Sequence, residues 1–353
     1  MKAARNLVQR LQPQAITSPD DLLETGLIPP DHLAAITEAS ATLPVSITSH
    51  IAKLINSTSL DGPVAKQFVP TARENDKQVD ELVDPIGDIP HSPVAGIIHR
   101  YPDRVLLTPV LTCPVYCRFC FRREAVGDGL LAAGEFDAAL AYIRDHTEIW
   151  EVILSGGDPL IMSPRRLTQI IDALDEIDHV SVIRIHTRVP VVDPKRVTTS
   201  LVTALKRKTP VFIVLHCNHA DELVSEAEQA IATLVDHGFP MLSQSVLLKG
   251  INDDPEILAA LMKKLVRSRV KPYYLHHGDK AQGTSHFRTT LAAGRAIVNR
   301  LRGRVSGLCQ PTYMLDIPGG HGKVPAGSDY LQVTDGGDWM VTDWQDNTHK
   351  YRD

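Results

Sequence analysis

The sequence predicts an α/β protein: a partial (β/α)6 TIM-like barrel with an N-terminal helical extension and a C-terminal segment. Two observations predict it. From residue 104 onward, short β-rich apolar runs alternate with longer amphipathic ones. Such alternation builds right-handed βαβ units on a parallel sheet. Residues able to do chemistry recur just after the apolar runs, where barrel sites collect.

Residues 1–95 read as a helical extension and connector. Pro29-Pro30-Asp31 ahead of His32 marks a helix start, and the polar, Pro-punctuated stretch 70–93 reads as a connector crossing the surface. Residues 96–310 form the barrel. Strands are expected at 104–109, 151–155, 181–186, 210–216, 240–248 and 271–276. Helices are expected at 132–146, 164–175, 194–206, 220–237, 255–268 and 290–302. Six units fall short of the eight that close a barrel, so the sheet stays open. The strand ends carry residues 113–120, Gly156-Gly157-Asp158, His186, Arg188, His216, Gln244 and His276 to Asp279. Residues 311–353 make up the C-terminal segment.

Composition narrows the class. The chain has 353 residues, 43% hydrophobic and 22% charged, as in an ordinary globular enzyme. A net charge of −5 argues against broad nucleic-acid binding. No apolar run is long enough for a bilayer, so no membrane partner is expected. Residues 1–7 lack an apolar signal core, and Asp20, Asp21 and Glu24 run against a transit peptide. A reduced, cytoplasmic location is expected, which also suits five cysteines without a secretion signal.

The most informative motif is Cys113-Pro-Val-Tyr-Cys117-Arg-Phe-Cys120, with no fourth cysteine nearby. Iron–sulfur clusters are held by thiolates, normally four. Three leave one iron with an open position for a substrate or cofactor. Structural zinc wants four ligands, and neither His99 nor His146 has a recognisable zinc spacing. Cys217 and Cys309 lack cluster spacing and read as small buried residues.

A second constellation is Asp316-Ile-Pro-Gly-Gly-His-Gly-Lys323. Its glycines let the backbone bend sharply beside a lysine. That lysine is either solvated in a turn or a carbonyl-binding amine. A phosphate-binding P-loop does not fit, because Gly322-Lys323 is followed by Val324.

The C-x3-C-x2-C spacing resembles the cluster motif of the radical S-adenosylmethionine (SAM) enzymes. Both constellations together resemble the lysine 2,3-aminomutase family, which also uses pyridoxal 5′-phosphate (PLP). The resemblance runs through His99-Arg-Tyr-Pro-Asp-Arg104, Arg122-Arg123, Leu154-Ser-Gly-Gly-Asp-Pro159 and Gln244-Ser-Val-Leu-Leu248. It continues through Pro272-Tyr-Tyr274, His286-Phe-Arg-Thr289, Leu301-Arg-Gly303 and residues 316–323. It implies a barrel of the radical SAM type and an isomerase interconverting L-lysine and β-lysine. A SAM-derived 5′-deoxyadenosyl radical and PLP would drive the 1,2-amino migration.

The resemblance also implies roles. Cys113, Cys117 and Cys120 would hold a [4Fe-4S] cluster. Lys323 would anchor PLP, and Arg100 and Arg104 would hold its phosphate, for which guanidinium forks are suited. Ser155, Gly156, Gly157, Asp158, His216 and Gln244 would contact cofactor. Arg122 would clamp the substrate α-carboxylate, with Arg123 its rival. Asp279 and Asp316 would receive the substrate side-chain ammonium and repel an anionic tail. An electron donor such as flavodoxin or ferredoxin is implied. No cysteine follows Cys309, so a homo-oligomer without a bridging zinc is expected. Two alternatives stay open: a β-lysine-forming enzyme dedicated to modifying translation elongation factor P, and a radical SAM enzyme acting on a macromolecule. The latter has no need of Lys323, Arg100 and Arg104.

Overall fold

Polar caps and prolines set where the helices begin. The computed structural model describes residues 15–127, 129–334 and 336–353; the opening of the extension, including residues 1–7, lies outside them. The extension folds into α1 (Pro19–Glu24), α2 (Leu33–Thr42), α3 (Ser49–Ser57) and α4 (Pro63–Phe68). Ser18 caps α1 through the Asp21 amide while the Asp21 side chain accepts from the Ser18 amide. Thr48 caps α3.

Seven more helices follow: α5 (Ala133–Asp145), α6 (Pro164–Asp175), α7 (Val189–Val192), α8 (Thr199–Leu205), α9 (Ser225–Asp236), α10 (Pro255–Arg267) and α11 (Leu291–Asn299). Two expected helices are shorter than their sequence patterns. The stretch 194–206 breaks into a single turn, Pro194–Arg196, and then α8, because Thr198 caps a fresh start at the Leu201 amide. The stretch 220–237 breaks likewise after Ala220–Glu222. There the Glu222 carboxylate turns inward and accepts the amides of Asn218 and His219.

The strands are β1 (Ile97–Tyr101), β2 (Arg104–Val110), β3 (Glu151–Gly156), β4 (Val182–Thr187), β5 (Val211–His216), β6 (Met241–Val246), β7 (Lys271–His276), β8 (Thr312–Asp316) and β9 (Lys323–Pro325). They form one nine-stranded sheet in sequential order. β2 through β8 run parallel; β1 and β9 are antiparallel edges. All six expected βα units are present in an open barrel. The structure adds a seventh parallel strand and the two edges. β8 carries Asp316 and β9 begins at Lys323, so the glycine turn between them is a hairpin of the barrel sheet. A separate three-stranded meander, β10 (Leu331–Val333), β11 (Trp339–Thr342) and β12 (Thr348–Tyr351), follows.

Apolar burial holds the helices on the sheet. Val152 and Leu154 of β3 and the inner face of α6 (Leu167, Ile170, Ile171, Leu174) belong to one continuous core. The cysteine loop needs a different restraint, since it has no regular structure. Arg118, between two of the cysteines, is fully buried. It donates to both oxygens of Glu74 in the connector, at 2.7–3.2 Å, and to the carbonyls of Leu43 and Pro44. Arg123 reaches the same carboxylate at 2.7 Å. An Arg–Glu–Arg triad therefore straps the loop to the extension. No helix among the described residues is long and apolar enough to cross a membrane.

Removing the acid from this triad strands two buried guanidinium groups. Glu74→Ala is expected to lower the unfolding free energy by about 3–5 kcal/mol. Asp236→Ala, at the exposed pair with Arg269, should change it by under about 1 kcal/mol. Chemical denaturation of both variants checks this, and equal effects would contradict the strap.

Candidate active site

The parallel strands end around one cavity of about 570 Å³. Every site residue singled out from the sequence lines it: the three cysteines, Arg100, Arg104, Arg122, residues 155–158, His216, Gln244, Asp279, Asp316 and Lys323.

The loop after β2 presents the thiols. Burial pushes the Cys120 thiol up to about 11, and burial with nearby Asp158 pushes Cys113 well above the usual range. Cys117 Sγ instead accepts a hydrogen bond from Arg188 Nη1 at 2.8 Å. The loop after β3 fits tightly beneath. A Cβ on Gly157 would lie 2.2 Å from the Thr112 carbonyl oxygen, and one on Gly156 (φ +100°) 2.7 Å from that of Val110. Gly156 is therefore required by the approach of β2, and Gly157 by that of the cysteine loop. Asp158 is buried and accepts from Leu160 N, Thr187 Oγ1, Arg188 N and Val189 N. Its carboxylate pins the end of β4 to the end of β3.

A chain of alternating charges crosses the far wall. Lys323 Nζ lies 2.5 Å from both Asp316 oxygens. Asp316 is 3.8 Å from Arg100 Nη1 and 3.7 Å from His276 Nδ1. Arg100 and Arg122 share Asp88, each at 2.8 Å. Burial works against ionised Asp316, yet His276 and Lys323 keep its carboxyl below the ordinary value. Asp279 has burial and Asp316 against it and is raised to about 7. Arg104 stands apart: it pairs with Asp103 at 2.6 Å and lies over the Tyr101 ring. Of the two rivals for the carboxylate clamp, Arg122 lines the cavity, while Arg123 is buried against Glu74 and the Gln282 carbonyl.

Lys323 is placed by its loop. Gly319, Gly320 and Gly322 all have positive φ. Gly320 lies so close to the connector that a Cβ there would meet His91 Nε2 at 2.8 Å and the Gly87 oxygen at 3.0 Å. The Lys323 amide donates to the Tyr101 hydroxyl at 2.8 Å.

The residues fit the groups that such a site would hold. Three soft thiol donors suit iron. Buried Arg100 Nε, His186 Nε2 and His216 Nε2 have no partner within the protein, so the cavity presents polar atoms without a protein mate. Burial holds His186 and His216 well below the usual imidazole range, hence neutral.

Sequence reading missed Asp88, Gln67, Glu222 and Tyr101. Asp88 lies in the connector, where acidic residues are common in turns. Gln67 and Glu222 sit in short helical turns with no distinguishing spacing. Strand-end position does mark His186, Arg188 and His276, but not what they touch.

Three thiols at the mouth of an open parallel barrel define the class, a radical SAM enzyme. The Radical SAM superfamily model matches residues 107–262. The L-lysine 2,3-aminomutase of Clostridium subterminale is 42% identical over 298 residues, covering 84% of this chain and 72% of that protein. The putative L-lysine 2,3-aminomutase of Aquifex aeolicus is 40% identical over 310 residues, 87% of this chain and 84% of its own length. The glutamate 2,3-aminomutase of Clostridioides difficile is 35% identical over 311 residues, 87% and 73% of the two chains. The chain belongs to the lysine 2,3-aminomutase family of radical SAM enzymes. It is an isomerase that acts on an amino acid and uses an iron–sulfur cluster, SAM and PLP.

The thiols give a direct test. Cys113→Ala, Cys117→Ala and Cys120→Ala should each lose the iron–sulfur absorbance after anaerobic reconstitution, while Cys309→Ala, in the apolar core, keeps it. A full cluster spectrum in any of the first three would remove that residue from the ligand set.

Proposed function

We propose that the chain is an L-lysine 2,3-aminomutase, interconverting L-lysine and β-lysine. The observation that carries this reading is the pair Asp279 and Asp316. Both line the cavity, and Asp316 already holds an ammonium, that of Lys323, at 2.5 Å. Two neighbouring acids shielded from solvent favour a cation between them. A lysine side chain supplies one; a glutamate side chain would add a third negative charge.

In this reading Cys113, Cys117 and Cys120 hold the cluster, and SAM completes its open iron. Lys323 anchors PLP, with Arg100 and Arg104 toward the phosphate. When bound, cluster and SAM supply a carbon radical, and PLP supplies the electron sink for moving nitrogen between adjacent carbons. The chain's own residues do the rest. Arg122 orients the α-carboxylate by exchanging Asp88 for it. Asp279 and Asp316 hold the ammonium, so both ends of the substrate are fixed and the β-carbon is held in place. Neutral His186, His216 and Gln244 line the space between. The reducing electron comes from a small donor such as flavodoxin or ferredoxin, in the reduced setting of the cytoplasm. A homo-oligomer without a bridging zinc is part of the same reading.

Two predictions follow from the acid pair. Losing one partner of a buried charged contact costs about 2–5 kcal/mol. Asp316→Asn and Asp279→Asn should each lower kcat/KM for lysine by roughly 30- to several-thousand-fold at ~1.4 kcal/mol per decade, and the double variant should show less than the product. Unchanged preference for lysine over glutamate and alanine would sink the lysine reading.

The second concerns pH. Only ionised Asp279 attracts an ammonium. Because its carboxyl sits at about 7, kcat/KM for lysine should climb by about tenfold per pH unit below that value and level off above it. Asp279→Asn should lack this limb, so a steep limb surviving in Asp279→Asn would assign it elsewhere.

The lysine anchor is tested separately. Borohydride reduction of the PLP-loaded protein, then digestion, should place the pyridoxyl group on Lys323. Label on Lys249 or Lys280 would show that another lysine anchors PLP.

A further inference from the structure

Arg188 directly follows β4 and is 5% exposed. Its Nη1 donates to Cys117 Sγ at 2.8 Å. Its Nη2 donates to Gln67 Oε1 at 2.5 Å and Glu222 Oε2 at 2.6 Å. Its backbone amide is fixed by Asp158 at 2.7 Å, and its guanidinium lies 4.6 Å from the Phe68 ring centre. Glu222 is itself fully buried and held by the amides of Asn218 and His219 and by Gln67 Nε2. The cation is therefore locked against one thiol, with its counter-charge on the far side. Cys113 and Cys120 have no such donor among the side-chain hydrogen bonds of the described residues.

We propose that Arg188 is a positioning residue for electron delivery: its charged hydrogen bond to Cys117 raises the electron affinity of the cluster that Cys117 helps hold, and Glu222 sets how much of that charge the sulfur feels. Cys117 as a cluster ligand is the premise. Reduction adds one negative charge to the cluster and its thiolates. A cation donating to a ligand sulfur stabilises that charge, and cluster potentials follow hydrogen bonding to sulfur and local net charge. Burial makes the effect large, because little water screens it. A carboxylate behind the cation opposes it. The two residues thus act on the potential with opposite signs, which packing alone does not produce.

The test is an EPR-monitored redox titration of the cluster-loaded protein without SAM, PLP or substrate. Arg188→Met should make the cluster about tenfold harder to reduce, a shift of ~59 mV to lower potential for one electron. Arg188→Lys should fall between it and the wild type. Glu222→Gln should move the potential the other way. If Arg188→Met holds no cluster, the Lys and Gln variants decide by sign. Wild-type potentials in all three, or shifts of Arg188→Lys and Glu222→Gln in one direction, overturn the proposal. Cys117→Ala is run beside them: an unaltered cluster there means that the premise about Cys117 has failed, not the tuning by Arg188.

Discussion

The structure depends on neutralising charge on side chains that the barrel buries. Isolated ions in such a place are costly. The chain answers with alternating partners: Lys323, Asp316, Arg100, Asp88 and Arg122 along one wall, and Arg188 with Glu222 behind the cysteine loop. Each pair leaves its charges matched within the protein itself. On the proposed reading, a substrate carboxylate takes the place of Asp88 at Arg122. On the same reading, a substrate ammonium takes the place of Lys323 at Asp316.

The extension contributes more than cover. Glu74 anchors Arg118 and Arg123 in the cysteine loop, Gln67 touches Arg188, and Asp88 bridges two arginines of the cavity. The connector also packs against the lysine hairpin, where Gly87 and Gly320 approach so closely that neither tolerates a Cβ. The βα units thus present one half of the site, and the preceding segment fixes its geometry.

Much of this was legible in the sequence, for a physical reason. Parallel strands buried on both faces give continuous apolar runs, so β2 to β7 fall within a few residues of their expected limits. Site residues gather at strand ends, which made Cys113, Gly157, His216 and Asp279 visible by position. β8 was harder to see because it is short, and the glycine hairpin beyond it masks its pairing with β9. Long-range pairs were invisible: nothing in the spacing of Glu74, Asp88 or Glu222 says which arginine each meets, and Arg122 and Arg123 were separable only by where their side chains go. Gly156 and Gly157 show the reverse case. They look like ligand-contacting glycines, yet β2 and the loop after it already require them.

The central claim is that the two acids make this family member choose lysine. The most direct measurement offers the reconstituted, anaerobic enzyme L-lysine, L-glutamate and L-alanine together, with SAM, PLP and a reductant, and follows the β-amino acids by NMR. β-Lysine forming ahead of the others is the predicted result; β-glutamate or β-alanine dominating would contradict it.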